Sequence, residues 1–345
     1  MKIIAEAGQT MRGDVGLAVE MVHAFAEAGA THFKVQMIDP MRLATLMAGS
    51  YWQTGPKVTQ RKQFYDNGII PHDGWDKVRA ACDDARVAFV ATPFDLGAVE
   101  ALKYLDPSAV KIASGDITFT PLLRAVGNLG KRVFLSTGAS RPEEITAAVV
   151  AIVKADPMTF SMITPLACTL AYPCPMDCAK LHRIRSIRES LQSLWSFDVG
   201  YSDHTTEAIT AFAAVAAGAT VLEKHVTPYP APTRRDDHTV PDDLMGLGVK
   251  EFARYVKFAK DAERLLGNNI YAPPESESRI GARRAARFAR DLPAGHVVRD
   301  DDVTYLRPDP DGDGASIRLA QSVPTTRVAV KAGDVLDDVN CDRPF

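Results

Sequence analysis

Cysteine is scarce in this chain of 345 residues. The five present (Cys82, Cys168, Cys174, Cys178, Cys341) form an odd, scattered set, as expected of a reduced protein and not of a disulfide scaffold. An excess of either charge is also missing: the formal net charge is -3, which offers no electrostatic footprint for nucleic acid or an anionic membrane surface. No apolar run approaches the ~20 residues that a membrane-spanning helix needs. The chain enters directly on the strand-like Lys2-Ile3-Ile4-Ala5, without the basic, apolar and cleavage-site succession of a signal peptide, so a cytoplasmic location is expected. What remains, 46% hydrophobic and 24% charged, is an ordinary globular composition with room for one large domain and a small one.

Eight short apolar runs are present, and each ends in polar or ionisable residues. They are Lys2-Ile3-Ile4-Ala5-Glu6, Phe33-Lys34-Val35-Gln36, the run from Val87 to Thr92, Val110-Lys111-Ile112-Ala113-Ser114, Val133-Phe134-Leu135-Ser136-Thr137, the run from Ile163 to Thr169, Val199-Gly200-Tyr201-Ser202-Asp203-His204, and Val221-Leu222-Glu223-Lys224-His225. Helical periodicity separates them, over 16–28, 75–85 with Asp73 as cap candidate, a stretch opened by a capping box of Ser140 and Glu143, 205–217, and 250–266. Alternating strand and helix implies a parallel sheet, and eight repeats imply closure into a (β/α)8 TIM barrel of the α/β class. The barrel is expected over residues 1–268. A polar, Pro-rich linker read as extended follows over 269–280, then a small, mostly β unit over 281–345. Within that unit Leu292-Pro293-Ala294-Gly295-His296-Val297-Val298 is echoed by Val330-Lys331-Ala332-Gly333-Asp334-Val335-Leu336, and each copy leads into an Asp-Asp-Val step. At about 65 residues, such a unit is near the lower limit for folding alone.

In a TIM barrel the chemistry gathers where strands end. His204 and His225 close the seventh and eighth runs, so their imidazoles can share one divalent cation, with the other positions left to water and substrate. The plain alternative makes each a hydrogen-bonded rim residue. Lys34, Lys111 and Lys224 stand inside apolar strands, where a buried ammonium needs an anion. With Thr92, Ser114, Ser136 and Ser202 they suit a phosphate or a phosphate plus carboxylate. Ion pairing to Glu6, Asp203 and Glu223 would explain them equally locally, and Lys111 or Lys224 as a Schiff-base lysine is a third possibility. Glu6, Asp116, Asp203, Glu223 and Asp237 are carboxylates able to act as bases or to orient a neighbour. Cys168, Cys174 and Cys178 lack the pairing of a zinc site, and the arginines between Arg279 and Arg290 read as a solvated face or an anion contact.

Taken together, Lys111-Ile112-Ala113-Ser114-Gly115-Asp116, Thr92-Pro93-Phe94-Asp95, Ser136-Thr137-Gly138, Gly200-Tyr201-Ser202-Asp203-His204-Thr205 and Glu223-Lys224-His225 resemble the sialic acid synthase family. That family includes N-acetylneuraminate, legionaminic and pseudaminic acid synthases. The resemblance covers nearly the whole chain, because the C-terminal unit looks like the family's antifreeze-like (SAF) domain. It implies a metal-dependent condensation of phosphoenolpyruvate with an open-chain amino-sugar aldehyde, N-acetylmannosamine-like, to a nonulosonic acid and phosphate. By the same resemblance His204 and His225 would hold Mn2+, with Mg2+ or Co2+ as alternatives. Lys34, Thr92, Lys111, Ser114, Ser136 and Ser202 would bind phosphoenolpyruvate, while Glu6, Gln36, Asp116, Tyr172 and Asp237 would face the sugar and Glu223 would stand beside the metal. The catalytic set it implies is Glu6, Lys111, His204, Glu223 and His225. Arg307 matches an arginine that the family's C-terminal domain offers to a neighbouring subunit, which implies a domain-swapped homodimer.

Departures from the family pattern fall at four places. Thr10-Met11-Arg12 replaces the usual Asn-His step, Leu170 stands where a polar residue helps hold phosphoenolpyruvate, Glu207 replaces a glycine, and the loop over 227–237 lacks the usual Gly-Pro. They leave the reaction class in place and leave the acceptor open, including a sugar other than N-acetylmannosamine. Two rival readings stay on the page: a metal-free Schiff-base aldolase on the same barrel, and a non-catalytic protein with a decayed site. The intact Ser-Asp-His and Glu-Lys-His steps count against the second.

Overall fold

In the computed structural model, strands β1 (Lys2–Glu6), β2 (His32–Met37), β3 (Ala88–Pro93), β4 (Ala109–Ile112), β5 (Arg132–Ser136), β6 (Ile163–Cys168), β7 (Gly200–Asp203) and β8 (Val221–His225) pair in parallel in sequence order. β8 closes on β1, with Glu6 opposite His225, so the (β/α)8 barrel is present. The structure describes residues 1–53, 57–192, 198–229, 240–267, 272–307, 324–337 and 339–342. The chain divides into two units, Met1–Gly267 and Asn268–Phe345. Among the described residues no helix is long and apolar enough to cross a membrane.

Strand side chains alternate with a period of two, and this fixes which residues meet. Ile3, Ala5, Phe33, Val35, Phe89, Ala91, Val110, Val133, Leu135 and Leu222 point outward and join the large core beneath the helices. Ile4, Val90, Ala109, Phe134, Leu166 and Val221 form a separate buried cluster that fills the barrel interior. Two residues further along the same strands come Glu6, Thr92, Lys111, Ser136, Cys168 and Glu223, all buried. An apolar plug therefore carries a polar layer directly above it, at the strands' C-terminal ends.

Helix boundaries differ from expectation where one side chain changes the register. The first helix residue after β5 is Pro142, whose fixed φ and missing N–H suit that position. Arg141 is thus the cap, and its N–H donates to Glu144 Oε2 at 2.8 Å, one residue beyond the expected Ser140–Glu143 box. Helix His72–Asp84 begins earlier than expected, which puts Asp73 in its first turn instead of at the cap. The helix expected over 205–217 is Thr210–Ala216. Asp203 Oδ1 accepts from the Thr205 N–H at 2.8 Å and its Oδ2 from the Thr210 hydroxyl, holding 204–209 as a turn.

In the second unit, β9 (Ala285–Phe288) pairs antiparallel with β10 (Val303–Leu306), and β11 (Thr325–Thr326) with β12 (Cys341–Asp342). Part of the segment expected as an extended linker is a helix, Pro273–Ala282, opened by two prolines that suit a first turn. The two repeat copies pair with each other: Leu292 and Val330 exchange both backbone hydrogen bonds, at 3.0 and 2.9 Å. Their glycines occupy equivalent turns at positive φ, Gly295 at 79° and Gly333 at 93°. Leu292, Val298, Val330 and Leu336 then share one core with Phe288 and Cys341.

Asp302, from the first copy's acidic step, is fully buried there. It accepts from His296 Nε2 at 2.7 Å, the Arg299 N–H at 2.9 Å and Arg290 Nε at 2.7 Å. The His296 bond, then the Arg299 N–H and Arg290, hold its carboxyl well below the usual carboxylate range. The stability this contributes is present above the ordinary Asp value of about 4 and is lost as pH falls towards the folded value. The protection factors of amides in 285–342, with the intrinsic exchange rate divided out, should therefore fall on acidification below about pH 4. In Asp302→Asn they should be lower at pH 7 and nearly flat through that acid window.

Candidate active site

The polar layer opens into a cavity of ≈ 330 Å³ lined by Glu6, Lys34, Gln36, Thr92, Lys111, Ser114, Asp116, Ser136, Tyr172, Ser202, His204, Glu223 and His225, among others. Two buried ion pairs organise it. Lys34 Nζ lies 2.7 Å from Glu6 Oε2 and donates to Thr92 Oγ1 at 2.9 Å, while Gln36 Nε2 donates to Glu6 Oε1 at 2.7 Å. Lys111 Nζ lies 3.2 Å from Glu223 Oε1, which also accepts from Ser202 Oγ at 3.0 Å. Burial alone would raise the Glu223 carboxyl, yet Lys111 and then Lys34 hold it at about 2. Burial dominates at Lys111 and lowers its ammonium, with Glu223 opposing. Glu6 is raised, because desolvation outweighs Lys34.

Several buried atoms stay unsatisfied among the described residues: Ser136 Oγ, Asp116 Oδ2, Glu223 Oε2 and His225 Nδ1 have no hydrogen-bond partner. Such groups are costly unless a ligand or water meets them. Ser114 Oγ accepts from the Gly138 N–H at 2.9 Å and its hydroxyl also hydrogen-bonds the Cys168 sulfur. Two ammonium groups, a ring of hydroxyls and unpaired buried oxygens suit a small, highly charged, polar ligand.

His204 Nδ1 lies 2.9 Å from the Thr169 carbonyl. A carbonyl only accepts, so Nδ1 carries the proton and the lone pair is on Nε2, the ligand tautomer. The Tyr172 ring lies over His204, centroids 4.2 Å apart at 31°. His225 stands with its ring centre 5.4 Å from that of His204. Burial first, then the neighbouring His204, keep His225 well below the ordinary imidazole range, hence neutral. With metal–nitrogen bonds of about 2.1 Å, two imidazoles on one cation have ring centres on the order of 5 Å apart. Against burial, Cys168 and the Thr169 carbonyl raise the His204 imidazole, so a cation held between it and neutral His225, beside the unpaired Glu223 Oε2, would displace a proton from the His204 ring; the separation fits a divalent ion. Among the described residues no group of three or more His, Cys, Asp or Glu is gathered as a metal site, so the other positions would fall to water and substrate.

Not every expected residue is here. Lys224 sits at the other parity of β8, points out of the barrel and is wholly buried. It lies 3.2 Å from Asp203 Oδ2, donates to the Thr205 carbonyl and stands 5.7 Å over the Tyr255 ring. It is a structural cation between barrel and helices, which removes it from the anion cradle and from Schiff-base chemistry. Arg307 is exposed just after β10 in the second unit. Asp237 lies outside the described residues. Residues to which the sequence gave no place in the cavity complete the lining: Cys168 by strand parity, Tyr51 from a loop, and Leu43, Gln60, Phe64 and Asp242 from the helices Pro40–Leu43, Gln60–Asn67 and Pro241–Met245. Burial pushes the Asp242 carboxyl up to about 7 and that of Asp116 up to about 6. Leu170, one of the departures, also lines the cavity.

A family model described as the NeuB family matches residues 21–271. The chain is 30% identical over 311 residues to the N,N'-diacetyllegionaminic acid synthase of Campylobacter jejuni, covering 89% of this chain and 90% of that protein. Its fold matches the crystal structure of the N-acetylneuraminic acid synthetase of Leptospira borgpetersenii serovar Hardjo-bovis, solved with citrate. The TM-score is 0.68 at 29% identity, over 80% of this chain and 88% of that one. The spore coat polysaccharide biosynthesis protein of Bacillus subtilis matches with a TM-score of 0.62 at 26% identity, over 98% and 94% of the two chains. The chain belongs to the NeuB family and is an enzyme of the sialic acid synthase kind.

Proposed function

We propose that this enzyme condenses phosphoenolpyruvate with the open-chain form of an amino-sugar aldehyde, giving a nonulosonic acid and inorganic phosphate. The observation that carries the reading is the shared cavity: two lysines paired with carboxylates, the unpaired Ser136 hydroxyl and two imidazoles 5.4 Å apart all line it. C3 of the enol attacks the aldehyde carbon, forming the C–C bond as the carbonyl π pair moves to oxygen. Water adds at C2 and loses a proton, and the tetrahedral intermediate expels phosphate by C–O cleavage. Lys34 and Lys111, with Thr92, Ser114, Ser136 and Ser202, bind the phosphate and carboxylate of the enol. Glu6, Gln36, Asp116 and Tyr172 face the sugar, as would Asp237. Glu6, its carboxyl raised by burial, is placed to exchange a proton with the sugar oxygen. His204 and His225 would hold Mn2+, or Mg2+ or Co2+ in its stead, with Glu223 alongside. Such an ion supplies Lewis-acid polarisation of the aldehyde oxygen.

The test is a panel of amino-sugar aldehydes, N-acetylmannosamine among them, assayed for phosphate release with and without phosphoenolpyruvate. Release that needs both substrates, stops on chelation and returns with Mn2+ is the expected result. Release indifferent to chelator, with borohydride trapping the substrate on Lys111, would replace this reading by the Schiff-base one, which the lowered Lys111 ammonium favours. An acceptor other than N-acetylmannosamine would leave the reaction class standing. The Arg307 contribution across a domain-swapped dimer is part of the same proposal: Arg307→Ala should raise the KM for the sugar with little change in that for phosphoenolpyruvate.

Leu170 gives a sharper test of the enol subsite. It lines the cavity, where the resemblance to the family implies a polar side chain. Leu170→Asn should lower the KM for phosphoenolpyruvate about 2–10-fold, the effect of one net hydrogen bond. An unchanged KM would mean that Leu170 faces the sugar instead.

A further inference from the structure

Three residues beyond the end of β1 grip Val226, just after β8, and the short helix Pro241–Met245. Thr10 Oγ1 donates to the Val226 carbonyl at 3.0 Å, the Gln9 N–H donates to Asp242 Oδ2 at 2.8 Å, and Arg12 Nη2 meets Asp243 Oδ2 at 2.6 Å. From the other side, the Leu247 N–H donates to the His225 carbonyl at 2.9 Å and the Gly246 N–H to that of Asp242 at 2.8 Å. Asp243 is further held by the Thr227 hydroxyl at 2.7 Å. The outcome is a buried Asp242 carboxylate whose Oδ2 lies 3.9 Å from His225 Nδ1. Gly8 permits this approach: at φ 52°, a Cβ there would come within 2.2 Å of Asp242 Oδ2 and 3.3 Å of His225 Nδ1. Thr10 and Arg12 belong to the stretch that departs from the family pattern.

His225 Nδ1 is buried and has no hydrogen-bond partner among the described residues. Its nearest carboxylate is Asp242. On the other imidazole, the equivalent nitrogen is met by the Thr169 carbonyl at 2.9 Å. We propose that Asp242, braced by the β1 loop, is a positioning residue for His225: as the carboxylate that faces Nδ1 at 3.9 Å, it favours the proton on that nitrogen electrostatically and so presents Nε2 to the cation shared with His204. Its link to the cation rests on the proposed function. Its effect on the ring does not.

Two measurements on the full chain test it. Isothermal titration with Mn2+ alone should show binding weakened about 10–100-fold in Asp242→Asn and Asp242→Ala, with partial recovery in Asp242→Glu. In metal-free protein labelled with 15N-histidine, the His225 ring should be the Nδ1–H tautomer and should shift towards Nε2–H in Asp242→Ala. Thermal melts separate folded variants from unfolded ones, and Asp242→Asn keeps an acceptor for Gln9 should the alanine variant fail to fold. Unchanged Mn2+ affinity together with an unchanged tautomer would overturn the proposal while leaving the two-histidine site intact. A wild type that binds no Mn2+ but whose His225 tautomer still follows Asp242 would refute the cation reading and uphold the positioning role.

Discussion

Alanine at both His204 and His225 should leave a folded barrel that retains no Mn2+ on dialysis and releases phosphate roughly 10³-fold more slowly or worse. That magnitude follows from the several kcal/mol a Lewis acid contributes at a carbonyl oxygen, each 1.36 kcal/mol being tenfold in rate. The fold should survive because neither ring holds strands together. β7 and β8 pair through backbone at Tyr201–Leu222, Ser202–Glu223 and Asp203–Lys224, and the apolar plug lies one layer below. Single variants should keep part of the ion affinity, since one imidazole and water remain. Circular dichroism, bound manganese by atomic spectroscopy and initial rates of phosphate release together decide it. A double variant with ordinary activity would remove the cation from the reaction, and with it the place given to Glu223 beside the cation and the link of Asp242 to it.

Much of this site was legible because the strands obey a two-residue period. Glu6, Thr92, Lys111, Ser136 and Glu223 each follow an interior apolar residue by two, so an ionisable group late in an apolar run already marks the mouth. Lys224 shows where that reading goes astray. One position after Glu223, it has the other parity, and an ammonium between barrel and helices is satisfied by Asp203 and a carbonyl. Counting from Val221 would have separated the two residues. Cys168 could have been found by the same count from Leu166. Tyr51, Phe64 and Asp242 offered no such signal, because they reach the cavity from a loop and two short helices whose placement is set by contacts distant in sequence. The Tyr172 N–H donates to Gln53 Oε1 at 2.6 Å, and no local pattern announces that pairing. The second unit was legible through its repeat, but not that its two copies would pair with each other at Leu292 and Val330.

Lys111 and Glu223 separate a structural ion pair from a working one. Both side chains are almost wholly buried, and Glu223 Oε1 is shared between Lys111 and Ser202. Lys111→Met should destabilise the barrel by about 3–5 kcal/mol, because the loss of one partner leaves a buried carboxylate uncompensated. The melting temperature should then fall by about 2–4 °C per kcal/mol. Combining it with Glu223→Gln should restore most of that loss, since a neutral amide can keep the Ser202 hydrogen bond without a buried charge. A four-point cycle of melts measures the coupling directly. Activity should behave differently. Lys111→Met should raise the KM for phosphoenolpyruvate more than about tenfold, the effect of a charge-assisted contact to the anion, and the double variant should stay as impaired as the single one. Were stability and phosphate release restored together, the ammonium would be serving Glu223 alone, and the anion cradle would have to be rebuilt around Lys34.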